Sequence, residues 1–168
     1  MVNWIIGLSG AGKTTIGTKV YKKFKIKHPE TVYIDGDLIR ESFANTYGYN
    51  VAGRRKNGEF IYSLCEYLDK QDIHVICSVL SLFPDIQKKA RMNFSRYFQV
   101  FIDVPFDVLK KERDYKGIYE DAEKGKIMNV VGYDIEFPEP YSSDLIIRNN
   151  GDINDIDKHV DRIINLVD

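Results

Sequence analysis

Residues 7–14 read Gly7-Leu8-Ser9-Gly10-Ala11-Gly12-Lys13-Thr14 and match G-x-x-x-x-G-K-[ST] at every fixed position. The apolar run 3–8 before the motif predicts a buried strand, and the periodic stretch 13–27 after it predicts a helix. A glycine-rich turn between the two lets backbone N–H groups close around phosphate oxygens, with the dipole of the new helix behind them. Lys13 would bring a point charge to the β- and γ-phosphates, and Thr14 a hydroxyl ligand for Mg²⁺. A ligand-free turn needs neither group at those two places. The stretch predicts a nucleoside triphosphate site built from Gly7, Ser9, Gly10, Ala11, Gly12, Lys13, Thr14 and Thr15, with Mg²⁺ as the accompanying ion.

The next informative stretch is IDGDLIR, 34–40. Asp-Gly after an apolar pair is a common way to end a strand. The second strand of a sheet that carries a phosphate loop, however, ends at the same C-terminal edge as the first, close to the γ-phosphate. Carboxylates there suit proton abstraction from an acceptor hydroxyl, or Mg²⁺ held through water, better than a bare turn. Asp37, supported by Asp35, is the candidate base.

Around these motifs, short apolar runs alternate with longer helical patterns, the signature of strands joined by crossover helices. Strands are predicted at 3–8, 31–35, 73–78, 97–104 and 143–149. Helices are predicted at 13–27, 37–45, 54–71, 84–95, 105–112 and 154–167. The fold class is α/β: a five-stranded, mainly parallel sheet flanked by helices, in one domain spanning 1–168. A chain this long buries roughly 70% of the surface its unfolded form exposes. The stretch 113–141, charged and punctuated by glycine, resists this scheme; a connection of that length predicts a lid, centred on about 113–133.

Composition narrows the function. Lys and Arg number 24 against 25 Asp and Glu, so the footprint of a nucleic-acid-binding protein is missing. Cys65 and Cys77 lie in apolar stretches without zinc spacing and read as buried thiols of a reducing cytosol. His28, His74 and His159 are scattered near element ends or on polar faces and read as surface residues. No run is long enough for a signal-peptide core or a membrane span, which predicts a soluble cytoplasmic protein. Asp114-Tyr115-Lys116-Gly117 formally matches the D-x-x-G of a GTPase switch, yet it lies after the fourth predicted strand, and no N-K-x-D guanine reader exists in the chain. A nucleotide-binding switch is thereby disfavoured against a small-molecule kinase.

GLSGAGKTT (7–15), IDGDLIR (34–40), FIDVP (101–105) and RDYKGIYEDAEKGKI (113–127), in that order, resemble the adenylyl-sulfate (APS) kinase family over about 5–147. The resemblance implies a P-loop kinase fold, commonly dimeric, that transfers the γ-phosphoryl group of ATP to the 3′-hydroxyl of a nucleotide's ribose. It assigns Asp37 and Asp35 to that hydroxyl and Arg113 to ATP. It places Arg40, Tyr49, Arg54, Asn57, Lys116, Ile118 and Val130 around the acceptor. Ser81 matches a serine sometimes described as a phosphoserine intermediate, a role that an in-line transfer does not need.

The departures concern the acceptor side. Where the family reads about G-F-S-x-x-D-R-x-x-N-I-R-R, this chain has GYNVAGRRKNGEF (48–60), without the aspartate and the arginine pair. Leu80-Ser81-Leu82-Phe83-Pro84 replaces I-S-P-[YH]-R, and Val130-Val131-Gly132 replaces F-T-G. Aromatic stacking on a base contributes roughly 1–3 kcal/mol; here Tyr49 retains one face and Val130 offers only a small aliphatic surface on the other. The resemblance then points to the cytidine diphosphoramidate kinases of bacterial capsule synthesis, with APS as the alternative acceptor.

Overall fold

The structure is a computed structural model, described for residues 1–149 and 155–167. Five strands, β1 (Val2–Ile6), β2 (Val32–Asp35), β3 (Val75–Val79), β4 (Tyr97–Asp103) and β5 (Leu145–Arg148), form one sheet in the order β2-β3-β1-β4-β5. All four pairings are parallel. The central strand β1 is buried at every position, as expected of a strand covered on both faces. At the edge, β5 alternates buried and exposed residues.

The side chains of β1 divide between two cores. Ile5 joins α1 (Lys13–Lys27) and α7 (Asp155–Val167) on one face through Ile16, Val20, Val160 and Ile163. Val2, Trp4 and Ile6 meet α3 (Val51–Asp69) and α4 (Pro84–Asn93) on the other through Ile61, Cys65, Ile86 and Ala90. Short helices α2 (Gly36–Ser42) and α5 (Phe106–Glu112) follow β2 and β4. Both cysteines are buried and free, and among the described residues no helix is long and apolar enough to cross a membrane. Residue 154, where the last predicted helix begins, lies outside the described residues.

Two local expectations need correction. The stretch 37–45 was expected to be helical; helix α2 instead starts at Gly36 and stops at Ser42, because Asp35 caps it from the strand end and accepts from the amides of Asp37 and Leu38. The lid stretch is not a loop throughout. It contains α6 (Ile118–Glu123), whose exposed amide ends are satisfied by the Asp114 carboxylate accepting from Ile118, Tyr119 and Glu120. Tyr119 and Ala122 on its inner side join the α1–α7 core.

Candidate active site

The parallel strands bring 7–15, 35–40, 78–81 and 103–105 to one edge of the sheet, where α/β proteins bind their ligands. The phosphate loop runs directly from β1 into α1. Gly10 has φ +78, and a Cβ there would lie 2.7 Å from the carbonyl oxygen of Arg113, so the loop and the root of the lid are in backbone contact. Arg113 itself is half-buried, while Thr14 and Thr15 are exposed on the first turn of α1.

Buried partners fix the loop from beneath. The Asn149 amide, 6% exposed, donates to the carbonyl of Ala11 at 2.9 Å. The Ser78 hydroxyl donates to the carbonyl of Lys13 at 3.1 Å, and Tyr119 OH donates to the carbonyl of Ser9 at 3.1 Å. Burial pushes the Tyr119 phenol up to about 12, which keeps it a donor. Sequence reasoning missed these three supports. Asn149 and Ser78 left a signal, each as a polar residue at the C-terminal end of a predicted strand; Tyr119 left none.

Lys13 donates to the carbonyl of Leu8 at 2.7 Å. Desolvation lowers its pKa to about 8, against the opposing pull of Asp37 and Asp35. The Thr14 hydroxyl donates to Asp35 at 2.8 Å, and Tyr33 OH reaches the same carboxylate oxygen at 3.2 Å. Thr14 and the buried Asp35 thus set two oxygen donors side by side beside the loop. That donor chemistry fits Mg²⁺, which is held by one or two such groups together with phosphates and waters.

Asp37 lies one residue past the bend and is largely exposed. Lys116 reaches across from the lid to its Oδ2 at 2.5 Å. Burial works against ionisation of Asp37, but Lys116, Lys13 and Arg40 outweigh it and hold the carboxyl below its usual range. Strand end, phosphate loop and lid therefore converge on one carboxylate.

The residues expected around the acceptor gather near Tyr49, 50% exposed. The Arg40 guanidinium lies 4.7 Å from the ring centroid and that of Arg54 lies 5.6 Å away. Arg40 also donates to the carbonyl of Gly48 at 2.5 Å, and Arg54 to that of Asn129 at 2.7 Å. Asn57 is buried further along α3, and Ile118 is half-buried at the start of α6. Gly53 stands where the resemblance expects an aspartate. A Cβ there would lie 1.8 Å from the Tyr47 carbonyl oxygen, so the 47–50 loop rests flush on α3 and leaves no room for that side chain.

Two expected site residues sit differently from their assigned roles. Val130 is 5% exposed and belongs to the α1–α7 core, so its side chain is not a face for a base. The 129–134 turn drives it inward, with Asp134 accepting from the amides of Asn129 and Val130. Ser81 has φ +53 and accepts at Oγ from the buried Trp4 indole at 3.0 Å, while its carbonyl accepts from Gln87 at 2.8 Å. Its hydroxyl is thus engaged in holding the end of β3.

Similarity to known proteins identifies the family. The adenylylsulphate kinase family profile matches residues 1–148. A cytidine diphosphoramidate kinase from Campylobacter jejuni is 37% identical over 96% of this chain and 92% of its own length. An adenylyl-sulfate kinase from Gloeothece citriformis is 28% identical over 98% of this chain and 92% of its own. In three dimensions, the Mycobacterium tuberculosis APS kinase, solved with AMPPNP and APS, superposes with a TM-score of 0.86 at 27% identity, covering 99% of this chain and 96% of that one. The chain belongs to the adenylylsulphate kinase family, and it is a kinase with that family's fold.

Proposed function

We propose that this kinase phosphorylates the ribose 3′-hydroxyl of cytidine 5′-diphosphoramidate, at the expense of ATP. The observation that carries the choice of acceptor is the 37% identity to the Campylobacter jejuni cytidine diphosphoramidate kinase, against 28% and 31% for the adenylyl-sulfate kinases of Gloeothece citriformis and Halothermothrix orenii. The acceptor-side geometry supports it. Gly53 has no room for the family's aspartate, and buried Val130 supplies no second stacking surface. A pyrimidine, with one ring, requires less stacking than adenine.

In this reading the 3′-oxygen attacks the γ-phosphorus in line. The bond from that phosphorus to the β–γ bridging oxygen breaks, ADP leaves, and the hydroxyl proton passes to Asp37. The low pKa of Asp37 keeps it ionised at neutral pH. A weak base suffices, because the loose transition state of phosphoryl transfer needs the nucleophile oriented more than deprotonated early. Lys13 and the loop amides stabilise charge on the transferring group. Mg²⁺, held through Thr14 and Asp35, supplies further charge neutralisation when bound. Arg40 and Arg54 take the acceptor's acidic end, Lys116 exchanges its contact with Asp37 for the incoming nucleotides, and the 113–133 lid excludes water.

The test is to give the protein MgATP with cytidine 5′-diphosphoramidate or with APS and to follow ADP release. The expected result is a kcat/KM at least tenfold higher for the cytidine nucleotide. The reverse preference would reassign the chain to 3′-phosphoadenylyl sulfate synthesis.

A further inference from the structure

At the opposite end of the sheet, the fold places two of the three histidines side by side. His28 closes the C-terminus of α1, and His74 leads into β3. Their ring centroids are 4.5 Å apart, and Phe24 packs against both, stacked on His28 at 4.6 Å and edge-on to His74 at 5.4 Å. Glu30, on the turn between α1 and β2, points Oε1 at His74 Nε2 (3.5 Å) and at His28 Nδ1 (3.9 Å). These three donor atoms all lie within 4.8 Å of one another.

We propose that His28, Glu30 and His74 form a binding site for a divalent transition metal of the zinc class. The donor set is the two-imidazole, one-carboxylate combination that such ions favour. Two ligands of a tetrahedral zinc, each at about 2.0–2.1 Å, stand roughly 3.4 Å apart, so Glu30 and His74 already have nearly that spacing, Glu30 and His28 must close by about half an ångström, and the imidazole pair by at most about 1.4 Å. Each side chain is partly exposed, with 33%, 46% and 25% accessible for His28, Glu30 and His74, which leaves an open position for water. The C-terminal end of the α1 dipole gives the site a negative bias.

The Met1 ammonium and Arg96 lie close enough to His74 to oppose a cation there, and the Glu30 carboxylate works against them. The Met1 ammonium is already paired with Asp69 at 2.9 Å. Among the described residues the buried Nδ1 of His74 has no hydrogen-bond partner, and Nε2 faces only Glu30.

This metal is not part of the phosphoryl-transfer centre. A 15-residue helix, about 22 Å long, separates His28 from Lys13. Bound zinc would clamp the end of α1 to the starts of β2 and β3 and act as a structural brace.

The experiment uses metal-stripped protein without a polyhistidine tag, titrated with Zn²⁺ by calorimetry under excess Mg²⁺, so that the oxygen donors at Thr14 and Asp35 are not sampled. One equivalent should bind, raise the melting temperature, and be replaceable by Co²⁺ with the visible absorption of a tetrahedral nitrogen–oxygen site. Loss of a supporting partner of a ligand typically weakens metal binding about 10- to 100-fold. Removing a ligand outright in His28→Gln or His74→Gln should weaken it at least about 100-fold. Glu30→Gln, at an exposed position, provides the same test without disturbing packing. Phosphotransfer by the metal-free variants should match that of the wild type. The proposal is overturned if wild-type protein takes up no zinc, or if all three variants bind it as tightly as wild type.

Discussion

The donor and acceptor ends of the active site are built differently. The phosphate loop is held from beneath by buried or half-buried partners, Asn149, Ser78 and Tyr119, and its backbone touches that of Arg113. The acceptor side rests on more exposed contacts: an ion pair from Lys116 to Asp37, a half-exposed tyrosine beside the guanidinium groups of buried Arg40 and half-buried Arg54, and a single carbonyl contact to the lid. Groups fixed by burial cannot move without unfolding something. Groups fixed by solvent-facing pairs can be exchanged at little cost, since such pairs contribute about 0–1 kcal/mol. Under the proposed function, the rigid end sets the reaction and the end that can be rebuilt sets the choice of acceptor.

The contrast breaks most sharply at Lys13. Lys13→Ala should lower kcat by about 10³-fold or more with the melting temperature nearly unchanged, because it removes charge stabilisation and no core contact. Near-normal turnover would remove the loop from the chemistry. Asp37→Asn should come next, with kcat down about 10²-fold or more and ATP affinity little changed. Wild-type rates from a folded Asp37→Asn protein would make the carboxylate a bystander.

Val130→Phe sharpens the comparison. Were this position a face for a base, phenylalanine would restore the family's aromatic and improve use of an adenine nucleotide. As a core residue, it should instead be overpacked and lose about 1–3 kcal/mol of stability on denaturant unfolding, with no gain in APS turnover.

Lys13 also gives the donor end a pH signature. Its pKa of about 8 in the free protein lies below the ordinary 10.5. Between those values the unfolded chain binds the proton more tightly, so this group's contribution makes the free protein more stable as pH rises. ATP requires the ammonium, so its affinity should fall above about pH 8 by up to about tenfold per pH unit, with proton uptake on binding measurable by calorimetry in buffers of different ionisation heat. The smallest effect is expected at the soft end. Tyr49→Leu should raise the acceptor KM severalfold through loss of stacking and of the guanidinium contacts, with ATP parameters unmoved.

The sequence made the sheet and the donor site legible because both rest on short-range signals. Apolar runs of strand length alternate with helical periodicity, and the loop motif is contiguous. What it hid depends on distant contacts. Asn149 supports Ala11 across 138 positions, and no local pattern announces such a partner. Val130 looked like a ligand surface because alignment with a motif specifies position without specifying which way a side chain turns. The helix α6 was hidden by its charged residues and by its cap: Asp114, inside a motif read for function, is used to terminate backbone amides. The meeting of His28 and His74 follows from strand order alone, since β2 and β3 are neighbours and the segments that lead into them are brought together.

The three amides locked by Asp114 also constrain how the lid can move. With those protons engaged, Tyr119 bonded to Ser9, and Asn129 and Val130 stapled to Asp134, the segment is fastened at both ends. Slack remains at the exposed Ile127 and Met128, just past the amides of Lys124, Gly125 and Lys126 that close the end of α6. The lid is therefore a short lever on a fixed fulcrum. A nucleotide-dependent change in amide hydrogen exchange would be concentrated in those two residues, while the root of the lid kept the slow exchange of the sheet to which it is tied.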